Sequence, residues 1–191
     1  MPPDSHDASV RVPASGADRR SELDFDGFML IMQGHAAFQL LWAGTQLGLF
    51  PVLSRHPGAK AHEISAALHL KPRPTSVLLT GLTALRLIHQ EDGGYRNGPI
   101  AQQFLIPGGH DSMVDILGWQ RHIVYPGAMD LVESLRGDTN VGLRHFPGRG
   151  ETLYARMAET PALEKIFHDA MSAISNSANE ILAERMDLRG V

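Results

Sequence analysis

Apolar residues recur at three- and four-residue steps through much of the chain, which is the spacing of one face of an α-helix. The pattern is clearest in residues 151–191, which predict two amphipathic helices followed by a short polar run. Thr160 suits an N-cap and Pro161 suits the first helical position, so the longer helix is predicted to begin there. Its apolar face consists of Leu163, Ile166, Phe167, Ala170, Met171, Ile174, Ala178, Ile181 and Leu182.

Residues 24–49 are also helical in pattern, but they are apolar around most of the helix circumference. A helix of this kind must be buried on several sides. A single chain of 191 residues offers limited interior, so burial against a second copy of the chain is one interpretation. An ordinary buried helical hairpin in a monomer is the other.

Residues 61–97 predict two short helices followed by a β-hairpin. The helices span 61–70 and 75–87, and the sequence Asp92-Gly93-Gly94 supplies the positive φ angles that a tight hairpin turn requires. Helix, turn, helix and hairpin is the order of a winged helix. The positions predicted to face inward on the two helices are Ile64, Ala67, Leu68, Val77, Leu78, Leu82 and Leu85.

A winged helix invites a DNA-binding interpretation, which the charges oppose. Entry into a major groove needs Arg, Lys, Asn or Gln on the outer face of the second helix, yet no charged residue lies between Thr75 and Leu85. Glu91 and Asp92 at the hairpin tip would repel phosphates, and the formal net charge is −4. We therefore expect no nucleic-acid partner.

The remaining segments have weaker patterns. A short helix is predicted at 98–105, and two further helices at 110–124 and 126–135 are predicted to be separated by Tyr125-Pro126-Gly127. Residues 139–150 are polar and rich in glycine, which is typical of a loop. Residues 1–23 contain three prolines and no apolar periodicity, so they predict a disordered leader.

The composition of the chain excludes several kinds of functional site. The chain has no cysteine, which excludes disulfides and zinc–thiolate sites, and its ten histidines lack the spacing that places two metal ligands on one face. No apolar run reaches the roughly 20 residues that cross a bilayer. The start of the chain lacks the basic and apolar regions of a signal peptide. The cytoplasm is the expected location, and neither a membrane nor a metal is expected.

Near its end the sequence resembles a known family. The residues that carry the resemblance are Leu153-Tyr154, Met157, Thr160-Pro161, Leu163, Phe167, Met171, Ser175 and Asp187-Leu188, with Gly34-His35-Ala36 and residues 40–50 near the start. They resemble the N-terminal domain of the class I S-adenosylmethionine-dependent O-methyltransferases that act on plant phenols and bacterial aromatic polyketides. The resemblance runs from about residue 24 to the end and stops just before that family's cofactor-binding domain.

The resemblance implies a mainly α-helical dimerisation domain with a winged-helix core, in which the first helices of two subunits intertwine. Residues 24–110 would hold the dimerisation helices and winged helix, and 111–191 an acceptor-binding helical segment. The expected function is methyl transfer to an aromatic or polyketide-like small molecule of natural-product biosynthesis. The alternative is a stand-alone dimeric winged-helix protein that binds or regulates without catalysis.

The resemblance also assigns candidate site residues. Those expected to line the acceptor pocket are Trp119, His122, Met157, Leu163, Phe167, Met171 and Ile174, and those expected near the cofactor are Tyr154 and Ser175. Trp119 and His122, three residues apart, are expected on one helix face. Phe and Met offer flat and adaptable apolar surface to an aromatic ring. The alternative for the Phe and Met residues is an ordinary hydrophobic core.

No residue is assigned a catalytic role. The glycine pairs at 93–94, 108–109 and 148–150 do not lie between an apolar strand and a helix, so none is a cofactor-binding turn. In the family, the cofactor turn and the catalytic histidine both lie beyond this segment. S-adenosylmethionine is therefore expected for the complete enzyme and not for this chain alone, and the expected partner is a C-terminal methyltransferase domain or a separate complementing chain.

Overall fold

The computed structural model describes residues 23–185, which are mainly helical with one small antiparallel sheet. The predicted leader, except Leu23, and the polar run at 186–191 lie outside the described residues. The helices are α1 (Phe25–Met32), α2 (Gly34–Gln46), α3 (Leu49–Arg55), α4 (Ala61–Ala67), α5 (Pro72–Ala84), α6 (Pro99–Phe104), α7 (Val114–Trp119), α8 (Tyr125–Gly127), α9 (Leu131–Gly137), α10 (Leu153–Ala158) and α11 (Pro161–Arg185). A π-helical turn covers Gln120–Val124, and a 3₁₀ turn covers Val141–His145.

The chain divides into two compact units, one ending at Ala36 and the other beginning at Ala37. In the first unit, the Asp24 carboxylate accepts the Gly27 N–H at 2.8 Å and caps α1. No residue of α1 is buried. Its exposed apolar side chains are Phe25, Phe28, Leu30, Ile31 and Met32.

The single helical segment predicted over 24–49 is wrong in detail, because the chain breaks twice. α1 ends at Gln33, and α2 ends before Gly48, which adopts a left-handed conformation with φ 74°. A residue without Cβ takes that conformation at little cost, so the glycine lets the chain turn into α3.

The main hydrophobic core of the second unit, called here the first core, lies among α3, α4, α5, β2 and α6. Gly81 allows α2 to approach α5 closely, since a Cβ there would lie 2.7 Å from a methyl of Leu40. The buried residues of the first core are Leu49, Phe50, Leu53, Ile64, Leu68, Leu78, Leu79, Leu82, Ile88, Ala101 and Leu105.

The inward face of α5 differs from the prediction. Val77 is 61% exposed, whereas Thr75 and Leu79 are buried beside the correctly predicted Leu78 and Leu82. The buried positions are spaced by three and four residues, and Val77 points away from that face. On α4, Ile64 and Leu68 are buried as predicted, but Ala67 is exposed.

The predicted hairpin is confirmed. Strands β2 (Ile88–Glu91) and β3 (Gly94–Asn97) pair antiparallel, and the two turn residues Asp92 and Gly93 have φ of 49° and 72°. A two-residue turn with positive φ at both positions matches the twist of the strands. The short strand β1 (Ala59–Lys60) pairs with β3 and completes the sheet in the order β1-β3-β2.

The predicted break at Tyr125-Pro126-Gly127 is wrong. α7 continues through the π turn into α8 without interruption, and the chain leaves the helical path only at residues 128–130. Pro126 lies directly after the π turn within this continuous helical segment, which begins at Val114. The two helices predicted near the end are confirmed as α10 and α11, and α11 begins at Pro161.

Within residues 23–185, no single helix is both long and apolar enough to cross a membrane. Only α2 and α3 taken together, with a bend of 57° between them, reach that length and composition.

Candidate functional site

A second, smaller hydrophobic cluster forms where the π turn, the 3₁₀ turn, α10 and α11 meet. Its buried members are Ile123, Phe146 and Met157. The partly buried side chains packed against them are Trp119, Leu143, Leu153, Leu163, Ile166 and Phe167. Only three residues of this second cluster are buried, so the packing is incomplete.

The incomplete packing leaves a cavity of about 390 Å³ beside the second cluster. Its lining is almost entirely apolar, and no charged side chain contributes to it. The polar side chains at its wall are those of Asn140 and Tyr154. The lining residues are Trp119, Ile123, Val124, Gly127, Ala128, Asn140, Phe146, Leu153, Tyr154, Met157 and Phe167.

One wall of the cavity comes from the π turn and its flanks, because Trp119 precedes the turn, Ile123 and Val124 lie in it, and Gly127 follows it. The opposing 3₁₀ turn approaches Gly127 backbone to backbone. A Cβ at the buried Gly142 would overlap the Gly127 carbonyl group. Glycine at position 142 is therefore needed to bring the two turns together.

The other wall comes from α10 and α11. The Tyr154 and Phe167 rings meet edge to face with centroids 5.7 Å apart. Met157 on α10 is 4% exposed and fills the space beneath them. This arrangement presents ring faces and a thioether to the cavity, surfaces that suit a flat apolar ligand.

Arg156 fixes the segment that closes the cavity. Its guanidinium donates hydrogen bonds to the carbonyl oxygens of Leu143, Phe146 and Gly150 at 2.8, 2.9 and 2.8 Å. Hydrogen bonds from a charged donor are stronger than neutral ones. The residues between the 3₁₀ turn and α10 are thus tied to α10 itself.

An ion-pair cluster ties the 3₁₀ turn to the start of α9. Arg144 donates to the Asp130 carboxylate at 2.5 Å and to Glu133 at 3.1 Å, and the His145 Nε2 lies 2.6 Å from Asp130. The hydrogen bond from Arg144, with the further bond from His145, holds the pKa of Asp130 below its usual value of 3.8.

Trp119 lines the cavity, whereas His122 does not; the His122 ring meets Trp42 of α2 edge to face at 5.4 Å. The assignment of His122 to the acceptor pocket stays a prediction. The wider π turn changes the angular relation between residues three apart. Partial burial, with the charge of Arg121, lowers the pKa of His122 below 6.5.

The other predicted site residues are divided between the cavity and its surroundings. Trp119, Tyr154, Met157 and Phe167 line it, and Leu163 packs against the second cluster. Met171, Ile174 and Ser175 do not line it. With a rise of 1.5 Å per residue, they lie about 6 to 12 Å beyond Phe167 along α11. Ile174 and Ser175 are exposed.

Sequence reasoning missed seven of the eleven residues that line the cavity. Those not predicted to line a site are Ile123, Val124, Gly127, Ala128, Asn140, Phe146 and Leu153. Phe146 carried a usable signal, because a lone aromatic residue within a polar, glycine-rich segment has to pack somewhere. Asn140 carried none.

Two other concave regions hold none of the predicted site residues. An open cleft of about 690 Å³ lies beside α3 and α4, where Arg55, His56 and Glu63 line it. An apolar groove of about 520 Å³ lies between α2 and α5, and its wall includes Leu40, Leu47 and Val77. We call the latter the α2–α5 groove.

The described residues offer few features of a metal or nucleotide site. Among the side chains that the structure describes, no group of three or more His, Asp or Glu could hold a metal ion. The sheet within 23–185 is three-stranded and antiparallel, and a parallel strand followed by a glycine-rich turn and helix is not found in that range.

Comparison with known proteins identifies part of the chain. Residues 29–107 match the O-methyltransferase dimerisation domain. The chain is 37% identical over 179 residues to the L-tyrosine C(3)-methyltransferase of Streptomyces lavendulae, an alignment that covers 93% of this chain and 49% of the relative. It is 31% identical over 153 residues to the 3-hydroxy-5-methyl-1-naphthoate 3-O-methyltransferase of Streptomyces sahachiroi. That alignment covers 80% of this chain and 42% of the relative.

A solved structure gives the same result. The S-adenosylmethionine-dependent methyltransferase SibL, in its apo form, superposes with a TM-score of 0.77 and 42% sequence identity, over 88% of this chain and 49% of SibL. The chain thus spans about half the length of the relatives that it matches. Residues 29–107 therefore form an O-methyltransferase dimerisation domain, in a chain whose similarity to S-adenosylmethionine-dependent methyltransferases extends over most of its length.

Proposed function

We propose that this chain is the dimerisation and acceptor-binding part of an S-adenosylmethionine-dependent methyltransferase that acts on an aromatic small molecule. The observation that carries the proposal is the apolar cavity on Trp119, Met157 and Phe167. It lies beyond the matched dimerisation domain, in the segment where a ligand wall is expected. The cofactor and the base would come from a methyltransferase domain, in the same chain or another.

The acceptor class follows from the cavity and from the relatives. A flat, uncharged wall of ring faces and aliphatic side chains suits one ring or two fused rings. The two named relatives act on L-tyrosine and on a hydroxynaphthoate, and both acceptors contain a ring hydroxyl. We infer a phenolic acceptor for this chain, with the hydroxyl oxygen or a ring carbon beside it as the methylated atom.

The dimerisation role is supported by unburied apolar surface on both sides of the unit boundary. α1 exposes five large apolar residues, and the α2–α5 groove contains Leu47 and the 61% exposed Val77. Apolar area of this extent is normally covered by a partner. We propose a homodimer in which α4, α5 and the β2–β3 hairpin form a winged helix that serves dimerisation and does not bind DNA.

The side of the cavity next to α11 is proposed to face the methyltransferase domain. Tyr154 is 67% exposed although its ring borders the cavity, and Ile174 on α11 is 45% exposed. A second domain packed on this side would cover both residues. Tyr154 and Ser175 would then lie close to the cofactor, and Met171 and Ile174 would extend the acceptor wall toward it.

Solution mass and calorimetry test this proposal. We expect the 191-residue chain to have twice the 20.8 kDa mass of one chain in sedimentation equilibrium. Titration with S-adenosylhomocysteine is expected to give no binding heat until a methyltransferase domain from a relative is added. A monomer would contradict the dimerisation role. Micromolar binding of S-adenosylhomocysteine to the chain alone would contradict the proposal that the cofactor site lies in a separate methyltransferase domain.

A further inference from the structure

We propose that Asn140 orients the acceptor by hydrogen bonding to an uncharged oxygen substituent on its aromatic ring. This inference rests on the proposed function, since it takes the cavity beside the second cluster to be the acceptor pocket. It adds a specificity-determining residue that neither the sequence pattern nor the family resemblance indicated.

Asn140 carries the carboxamide of the cavity wall, and the other polar groups there are the Tyr154 hydroxyl and the Trp119 indole N–H. Asn140 is exposed, and its side chain makes no hydrogen bond to the part of the chain that the structure describes. The Tyr154 ring packs edge to face against Phe167. A polar group set in an apolar wall gives a binding site its directional preference, because a ligand that leaves it unpaired binds less well.

The usual structural role of asparagine does not explain this residue. Asn140 directly precedes the 3₁₀ turn, a position where an asparagine side chain often caps the first free N–H groups. Here the side chain caps nothing. The N–H of Val141 donates to the Ser134 hydroxyl and to the Thr139 carbonyl oxygen, both at 3.1 Å, and the N–H of Leu143 donates to the Asn140 carbonyl oxygen. The side-chain amide of Asn140 therefore has no capping role and is available to a ligand.

The backbone around Asn140 is held by hydrogen bonds, although the side-chain amide makes none within the described residues. Its carbonyl oxygen accepts the Leu143 N–H at 3.3 Å, and the preceding Thr139 N–H donates to the Ser134 carbonyl at 3.2 Å. Arg156 and the ion-pair cluster at Asp130 hold the chain on the far side of the 3₁₀ turn. A site residue on a segment restrained at both ends is held close to one geometry before the ligand arrives.

The cavity also determines which kind of oxygen Asn140 can meet. A carboxylate or phosphate placed against this wall would gain no counter-charge, because no charged side chain lines the cavity, so a carboxylate on the acceptor would have to lie outside it. An amide both donates and accepts, so it can pair with a phenolic hydroxyl in either direction or with a ring carbonyl. The preferred ligand is therefore an aromatic ring with a hydroxyl or carbonyl group.

The test compares two probes that differ by one hydroxyl, 2-naphthol and naphthalene, with the 191-residue chain. Trp42→Phe is introduced into every variant so that Trp119, on the cavity wall, is the one remaining tryptophan and its fluorescence reports binding. We expect Asn140→Ala to lower the affinity for 2-naphthol by about three- to ten-fold, the range of one net hydrogen bond. The affinity for naphthalene should be unchanged. Asn176→Ala on α11, outside the cavity lining, is the matched control and should change neither.

Each other result has a distinct meaning. An equal loss for both probes, or no loss for either, would overturn the role of Asn140 and leave the proposed function intact. Failure of both probes to bind the parent chain would instead overturn the cavity as an acceptor pocket. Asn140→Ser is the second variant in case Asn140→Ala does not fold, since a hydroxyl keeps part of the hydrogen bond and should give a smaller loss for 2-naphthol.

Discussion

The two hydrophobic clusters of the larger unit differ in how completely they are packed. The first core joins eleven buried side chains, among them the large, fully buried Phe50 and Leu79. The second cluster has three and borders an open cavity. Close packing gives stability, whereas a ligand site requires space that packing has left unfilled. The first core is thus the more tightly packed of the two, and the second cluster leaves the space that the proposed acceptor pocket requires.

The substitution expected to change stability most is Leu79→Ala, in the first core. Leu79 is fully buried in the first core, so we expect a loss of about 2 to 5 kcal/mol in the free energy of unfolding. Thr80→Ala on the same helix is the control and should stay within about 0.5 kcal/mol, because Thr80 is exposed and lies outside the α2–α5 groove. Urea unfolding followed by circular dichroism measures both. Similar losses for the two variants would contradict the placement of the first core.

An intermediate effect is expected from Gly142→Ala beside the second cluster. The new methyl group would push the 3₁₀ turn away from Gly127 and cost about 1 to 3 kcal/mol. Gly118→Ala in α7 has open space around it and should stabilise the helix by about 0.5 to 1 kcal/mol. Thermal unfolding gives the stabilities, and 2-naphthol titration shows whether the cavity has changed. Unaltered stability in Gly142→Ala would mean that the two turns do not touch.

The smallest effect concerns pH. The ion pair with Arg144 lowers the pKa of Asp130 in the folded chain, so the stabilisation is present above pH 3.8 and is lost as pH falls through the folded pKa. Asp130→Asn should reduce stability slightly at pH 7 and should also flatten the decline of stability below pH 4. Unfolding midpoints from pH 2.5 to 7 measure this. A decline as steep as that of the parent chain would show that Asp130 does not contribute to it.

Local patterns predicted most of the fold. The Asp92-Gly93 turn, the start of α11 at Pro161 and the buried face of α5 at Leu78 and Leu82 each depend on a few neighbouring residues, and each is found. The exposed Val77 shows the limit, because an apolar side chain alone does not define the inward face of a helix that is apolar on two sides.

The candidate site was only partly predictable. Trp119, Met157 and Phe167 were identified through family resemblance, and they do meet at one cavity. His122 lies on the π turn and outside this cavity, and nothing in the sequence indicated that turn. Asn140 was missed because its position depends on contacts between residues distant in the chain, such as that of Gly127 with Gly142.

The π turn at Gln120–Val124 has a consequence for the length of the chain itself. A π turn is equivalent to one extra residue inserted into an α-helix. Deleting one residue there would give a regular helix with nearly the same relative orientation of its two flanks, because the π turn uses one residue more than an α turn to come round to the same direction. Trp119 and Gly127 would therefore stay in register, whereas the side chains of the turn itself, Ile123 and Val124 among them, would be redistributed around the helix. The extra residue thus determines which side chains of the turn reach the cavity wall.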